Sequence, residues 1–371
     1  MPYGQVLVDT VKDSLNYVLA PASAVFRNRI INGAMVIDQR NAGASVTPTN
    51  GQYTVDRWKG LLTQASKYTV QQNAGAVTPP AGFTKYLGAT SSSAYSVVTG
   101  DYFVLYQIIE GLNVSDLAWG SASASPVSVS FWVRSSLTGT LGGSVIATGG
   151  SNYSYPFTFT VSVANTWEYK TISVPANTFN TINTDTNGGV QVVFNLGTGT
   201  TFSGTANTWQ SGYFLAPTGA TSVVGTNGAT FYITGVQLEV GTNATSFDYR
   251  PYGTELALCQ RYLPAITGNG NNVTVALGQC TSASGAVALY IYPVTPRTVP
   301  TGITLSSASN FSCWQANTAG TTPTGITLNN ASYNGATLQM TGMSGLVAGN
   351  ATALVTAVSS GSQILFTGCE L

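Results

Sequence analysis

From Thr230 to Val240 apolar side chains alternate with polar ones: Phe231, Ile233, Val236, Leu238 and Val240, with a one-residue slip at Gly235. Period-two alternation marks a β-strand with one face buried, and a slip at a glycine marks a bulge within it. The turn-rich piece GTNATSFDYRPYG follows, in which Pro251 biases Arg250 to extended geometry. TELALCQRYL then reads as a short helix or turn, with Thr254 as its N-cap and Glu255 in its first turn. Similar strand-like runs lie upstream: RIINGAMVID, YTVDRWKGLL, KYTVQQN, YFVLYQII, VSVSFWVRSS, YPFTFTVSV, EYKTISVP and GVQVVFNLG. Short strands separated by Gly- and Asn-rich turns predict an all-β antiparallel sandwich over residues 28–252. One helical turn is expected in Ile109–Trp119, and Trp167 is expected to start a strand in a packing role.

The pattern changes on either side of this region. Residues 1–27 hold Val8, Val11, Leu15 and Val18 at near-helical spacing, after the strand-like GQVLV. So short a piece needs partners. It reads as an attachment or oligomerisation segment, or else as a first strand and turn packed on the sandwich. Residues 253–263 read as a linker. Residues 264–371 form a separate, smaller β domain, whose charged side chains are Arg297 and Glu370 alone. Within it PTGITLSSASNF and PTGITLNNASY echo each other at an offset of 23 residues. Two copies are too few for a solenoid, so the echo is read as two similar strand–turn units.

Composition narrows the function. Of 371 residues only 7% are charged, against 11% aromatic and 41 glycines, and the formal net charge is zero. A quarter charged is usual, and aromatic content this high goes with a folded chain. A clustered basic patch is lacking, which argues against nucleic acid. Apolar runs are short and broken, which argues against membrane insertion, and the opening MPYGQVLVDTVKD lacks the apolar core of a signal peptide. The chain contains no His. That removes the commonest general base and the usual nucleophile triads. Cys259, Cys280, Cys313 and Cys369 have no zinc spacing; one or two disulfides, or buried free thiols, both remain open. The thirteen acidic residues are scattered, with Glu110 and Asp116 kept as one carboxylate pair that a glycosidase could use. The expectation is a non-enzyme.

Several segments, taken together and in order, resemble a large family of bacteriophage tail-fibre and other virion fibre proteins. They are RNRIINGAMVIDQRNAGASVTP and YTVDRW (Arg27 to Trp58), SFWVRSS (Ser130 to Ser136), GATFYITGVQLE (Gly228 to Glu239) and TSFDYRPYGTELALCQRYL. The likeness runs over residues 27–263 and more loosely through YPVTPRTVPTG to the terminal GCEL. It implies a jelly-roll sandwich whose first and last strands pair, homotrimeric assembly, and other phage virion proteins as partners through the N-terminal segment. It also implies a place on the virion after synthesis in the host cytoplasm. Tail fibre, head fibre, decoration and baseplate component all fit it, and a secreted carbohydrate-binding module is a further alternative.

Binding of host-surface glycan is the expected activity, because neutral sugars are held by aromatic faces and by neutral hydrogen-bonding groups. Loop-like stretches offer Trp119, Tyr153 with Tyr155, Trp209 with Tyr213, and Phe311 with Trp314 and Gln315. Trp58 and Trp132, inside strand-like runs, are assigned to the core. Jelly-roll carbohydrate-binding modules, which the domain resembles, often hold a structural calcium ion near their first and last strands. Asp38 and Glu239 are the nearby carboxylates, although Ala34 stands where related openings often carry an acidic residue. Arg297 and Glu370 are expected to form an ion pair, since a guanidinium fork suits a carboxylate.

Overall fold

The computed structural model describes residues 26–371 apart from 269, 316–319 and 359–360, and before them only the strand pair Val11–Lys12 and Val18–Leu19. The rest of the expected attachment segment lies outside the described residues.

The described residues are nearly all β, as the alternation predicts. Two sheets face each other in the larger sandwich. One orders its strands Gln210–Ser211, Tyr153–Val161, Gly139–Ala147, Gly188–Thr198, Tyr102–Glu110, Trp58–Leu62 and Tyr53–Val55. The other runs Glu168–Val174, Val127–Ser135, Thr230–Val240, Leu87–Ser91 and Tyr68–Gln72. Inward-facing residues of both meet in one core, where the Phe131 ring lies edge-on to Phe194, centroids 4.9 Å apart. Each such fully buried ring contributes about 1.5–3 kcal/mol.

Residues beyond Pro264 build two further sheets, of three and six strands, around a second core that includes Phe311, Leu338, Leu354 and Phe366. The two echoing segments enter different sheets. Gly302–Leu305 pairs with Ser362–Thr367 in the three-stranded sheet, whereas Gly325–Ala331 is an edge of the six-stranded one. All four cysteines are buried and free.

The bulge sits where the slip places it. Thr234 pairs with Trp132 and Gln237 with Ser130, so Gly235 and Val236 together oppose Phe131, and Gly235 has φ +61°. The opening segment meets this closing strand without forming a regular strand itself. Arg29 donates its N–H to the Leu238 carbonyl (2.8 Å), while the Asn28 side chain accepts from Leu238 N–H and donates to the Val236 carbonyl. Left-handed backbone at Asn32 and Met35 breaks the extended run. Gly33 lies so close that a Cβ there would stand 2.1 Å from the Val236 carbonyl oxygen.

The helix spans Tyr252–Gln260, three residues earlier than an N-cap at Thr254 would set it, with Pro251 at the N-cap. Its fixed φ suits the entry to a helix. No side chain caps this end. Glu255 turns inward instead, accepting from Asn32 N–H and pairing with Arg250 at 3.3 Å. Pro264 stops the chain from continuing helically. In place of one helical turn, Gly111–Asn113 and Ser115–Leu117 form two short 3₁₀ turns.

Candidate functional site

The strand Val127–Ser135 sends alternate side chains to opposite faces. Val127, Val129, Phe131 and Val133 enter the core. Trp132 therefore points outward, which corrects its assignment to the core; Trp58, with no exposed surface, is a core residue as expected. On the outer face Trp132 meets Tyr169 of the neighbouring strand, ring centroids 5.5 Å apart. Two loops bring three more rings to this face. Phe83 lies 5.1 Å from Phe247 and 5.5 Å from Tyr249, and Phe247 and Tyr249 are 4.9 Å apart. Together they wall a cleft of about 450 Å³, floored by Ser130 and Gly235. Recognition clefts for small ligands fall in the range of about 300–1,000 Å³.

Buried polar groups hold the wall in place. Glu239 accepts the Thr245 N–H and hydroxyl, each at 2.7 Å, and the Gln237 amide at 2.8 Å. Gln237 in turn accepts Asp248 N–H and donates to the Ser246 carbonyl. The loop carrying Phe247 and Tyr249 is thus fastened to the strand below it. Not one residue lining the cleft carries a charge. Aromatic faces, hydroxyls and an indole N–H can grip an uncharged, polyhydroxylated ligand; they offer an anion or a cation no counter-charge.

The glycan candidates read from the sequence lie elsewhere. Trp119, Tyr155 and Trp209 pack on one another at centroid distances of 5.3 and 5.4 Å. Trp119 and Tyr155 belong to the main core, and the Trp119 indole donates to the Ser125 carbonyl. Tyr153 stacks on Phe179, and Tyr213 donates its hydroxyl to Gln191 (3.0 Å) over the outer face of the seven-stranded sheet. Phe311 is fully buried and Gln315 is 6% exposed, bonded to Gly345 and Val347. Trp314 alone of that group is well exposed. Phe311, Trp119 and Tyr155 therefore offer no free ring face, because each fills a core. The structure does not bring these eight residues together.

The calcium candidates are occupied by protein donors: Asp38 accepts from Asn41 and Gly43 N–H, and Glu239 from Thr245 and Gln237. Among the described residues no three acidic, His or Cys side chains form a group that could hold a metal. Glu110 and Asp116 also separate. Glu110 is fully buried, taking Arg261 at 2.5 and 2.9 Å and the Tyr262 hydroxyl at 2.6 Å; Asp116 pairs with Arg29 at the surface.

Charge is concentrated at the seam between the two cores. Here the expected Arg297–Glu370 ion pair is corrected. The Arg297 guanidinium donates to three carbonyls, those of Cys369 (2.7 Å), Glu370 (2.6 Å) and Thr186 (2.8 Å), which together satisfy its fork. The Glu370 carboxylate instead pairs with Arg40. Arg40 also stands 3.9 Å from Asp56, so one guanidinium serves two acids. Burial pushes Asp56 up to about 7 and raises Glu370 above the usual carboxylate range. Burial likewise brings Lys59 down to about 8. The Arg57 guanidinium lies 3.6 Å over the Tyr262 ring, a cation–π contact that helps hold the linker against the sandwich.

No protein-family model matches this sequence, and neither does any curated protein. Among solved structures the chain is similar to the enzymatically active domain of tailspike protein 4 of bacteriophage CBA120, at 13% identity and TM-score 0.32, over 58% of this chain and 22% of that one. It is also similar to a family 11 carbohydrate-binding module of a Clostridium thermocellum cellulosomal cellulase, at 12% identity and TM-score 0.26, over 55% of this chain and 99% of the module. A xylan-binding domain from Paenibacillus barcinonensis gives 12% identity and TM-score 0.27, over 55% of this chain and 99% of that domain.

Proposed function

We propose that this protein is a non-enzymatic, glycan-binding fibre subunit of a bacteriophage virion, and that the cleft around Trp132 is where it holds its ligand. The observation that carries the binding role is the cleft itself: five aromatic rings around an uncharged floor, fixed by the Gln237 and Glu239 network. Such a site suits a neutral sugar chain, whose C–H faces lie on rings and whose hydroxyls meet Ser, Thr and Tyr. The virion role is supported by the sequence resemblance over residues 27–263. Homotrimeric assembly and attachment through the N-terminal segment belong to the same reading.

Titration of the purified protein against host-surface polysaccharide and defined neutral oligosaccharides tests the binding role. Loss of binding at this cleft is expected in a Trp132→Ala variant of unchanged stability. Release of reducing ends from the polysaccharide would overturn the non-enzymatic assignment. Light scattering should give a mass three times 38.5 kDa, and a monomer mass would remove the trimer.

A further inference from the structure

A second cleft, of about 690 Å³, opens along the linker helix. We propose that it is a second binding site for a short neutral oligosaccharide, built by both parts of the chain and distinct from the cleft around Trp132. Tyr252, Leu256 and Gln260 recur at four-residue spacing, so one stripe of the helix forms its first wall. Asp38 and Gln39 of the sandwich opening form the second. Strand Ala265–Gly268 and Tyr290, from beyond Pro264, form the third.

The walls are fixed rather than loosely apposed. Gln39 donates its amide to the Leu263 carbonyl (3.3 Å), and the Gln363 amide donates to the Gln39 carbonyl across the seam. Tyr290 stacks on Phe366 at 5.4 Å and 5°, and its hydroxyl reaches the Ala265 carbonyl at 3.2 Å. Glu255, on a neighbouring stripe of the helix, anchors it through Arg250 and Asn32. A preformed cavity avoids the ordering cost of binding.

The lining chemistry selects the ligand class. Tyr252 is 63% exposed and presents a ring at the mouth. Gln260, Thr267 and Thr274 supply neutral donors and acceptors. The one charged lining residue, Asp38, already accepts two backbone N–H groups, and carboxylate oxygens retain capacity for a sugar hydroxyl. An aromatic face with amides and hydroxyls in a cavity of this size fits a di- or trisaccharide. A ligand held here touches both parts of the chain and would brace them against each other.

Calorimetric titration with maltotriose, cellotriose and tri-N-acetylchitotriose separates the two sites. The full chain, Trp132→Ala and the double variant Tyr252→Ala/Gln260→Ala are compared. Trp132→Ala is expected to keep millimolar or tighter binding of at least one trisaccharide, and combining all three substitutions should abolish it. Bound trisaccharide should also protect the helix amides of Leu256–Gln260 from hydrogen exchange. A Trp132→Ala protein that binds none of the three overturns the proposal, as does binding that Tyr252→Ala/Gln260→Ala leaves unchanged. Binding that Trp132→Ala leaves unchanged but Tyr252→Ala/Gln260→Ala removes would overturn the function proposed above and leave this one standing.

Discussion

Gly235 lies directly beneath the ring of Phe83: a Cβ at Gly235 would meet that ring at 2.6 Å. Bulge and aromatic wall are therefore one feature. The bulge needs φ +61°, which glycine adopts without strain, and the missing side chain makes room for the ring. Gly235→Ala should cost about 1–2 kcal/mol and push Phe83 off the cleft. Urea unfolding would read the first effect. A fall in oligosaccharide affinity of tenfold or more would read the second; unaltered affinity would detach the bulge from binding.

Phe131 and Trp132 should behave oppositely although adjacent. Phe131→Ala opens a cavity in the main core and is expected to cost about 3–5 kcal/mol. Trp132→Ala removes a half-exposed ring and should change stability by less than about 1.5 kcal/mol while removing glycan binding at the cleft it walls. Equal destabilisation by the two would contradict the outward placement of Trp132.

Stability should fall as pH rises from about 4 to about 7. Asp56 has an ordinary value of 3.8 and is held up to about 7 in the folded chain. The fold therefore favours its protonated form. That contribution is complete below the unfolded value and is lost as pH climbs through the folded one. Glu370 is raised as well and acts in the same direction, whereas Lys59, near 8, titrates above this window. Melting temperatures across pH 4–8 should show the decline in the parent chain and a flatter profile in Asp56→Asn. Identical profiles would exclude Asp56 as the titrating group.

Arg297 should matter more than a surface arginine. It donates to carbonyls of Thr186 on one side of the seam and of Cys369 and Glu370 on the other. Arg297→Met leaves three carbonyls without their partner and should cost about 2–3 kcal/mol. Faster limited proteolysis at the exposed loop Asn271–Val273 is the accompanying expectation. Cleavage rates equal to the parent's would show that the seam does not depend on this fork.

Local pattern determined a good deal of this protein. Alternation with a glycine slip is enough to predict the strand Thr230–Val240 and its bulge, because side-chain direction along a strand has period two whatever surrounds it. The same rule applied to VSVSFWVRS puts Phe131 and Trp132 on opposite faces, so the outward tryptophan was legible there too. Strands Leu87–Ser91 and Gly139–Ala147 were not: LGATS and GTLGGSVIA carry too many small residues for an alternating signal. What only the tertiary structure decided is which rings share a cleft. Phe83, Trp132, Tyr169 and Phe247 come from four separate segments, and their convergence depends on sheet order and on loops pinned by Gln237 and Glu239. Arg297 and Glu370 make the same point. Scarcity of charge along the chain suggested that they pair, but a half-buried guanidinium takes whichever acceptors the fold places in reach, and here three carbonyls lay closer than the carboxylate.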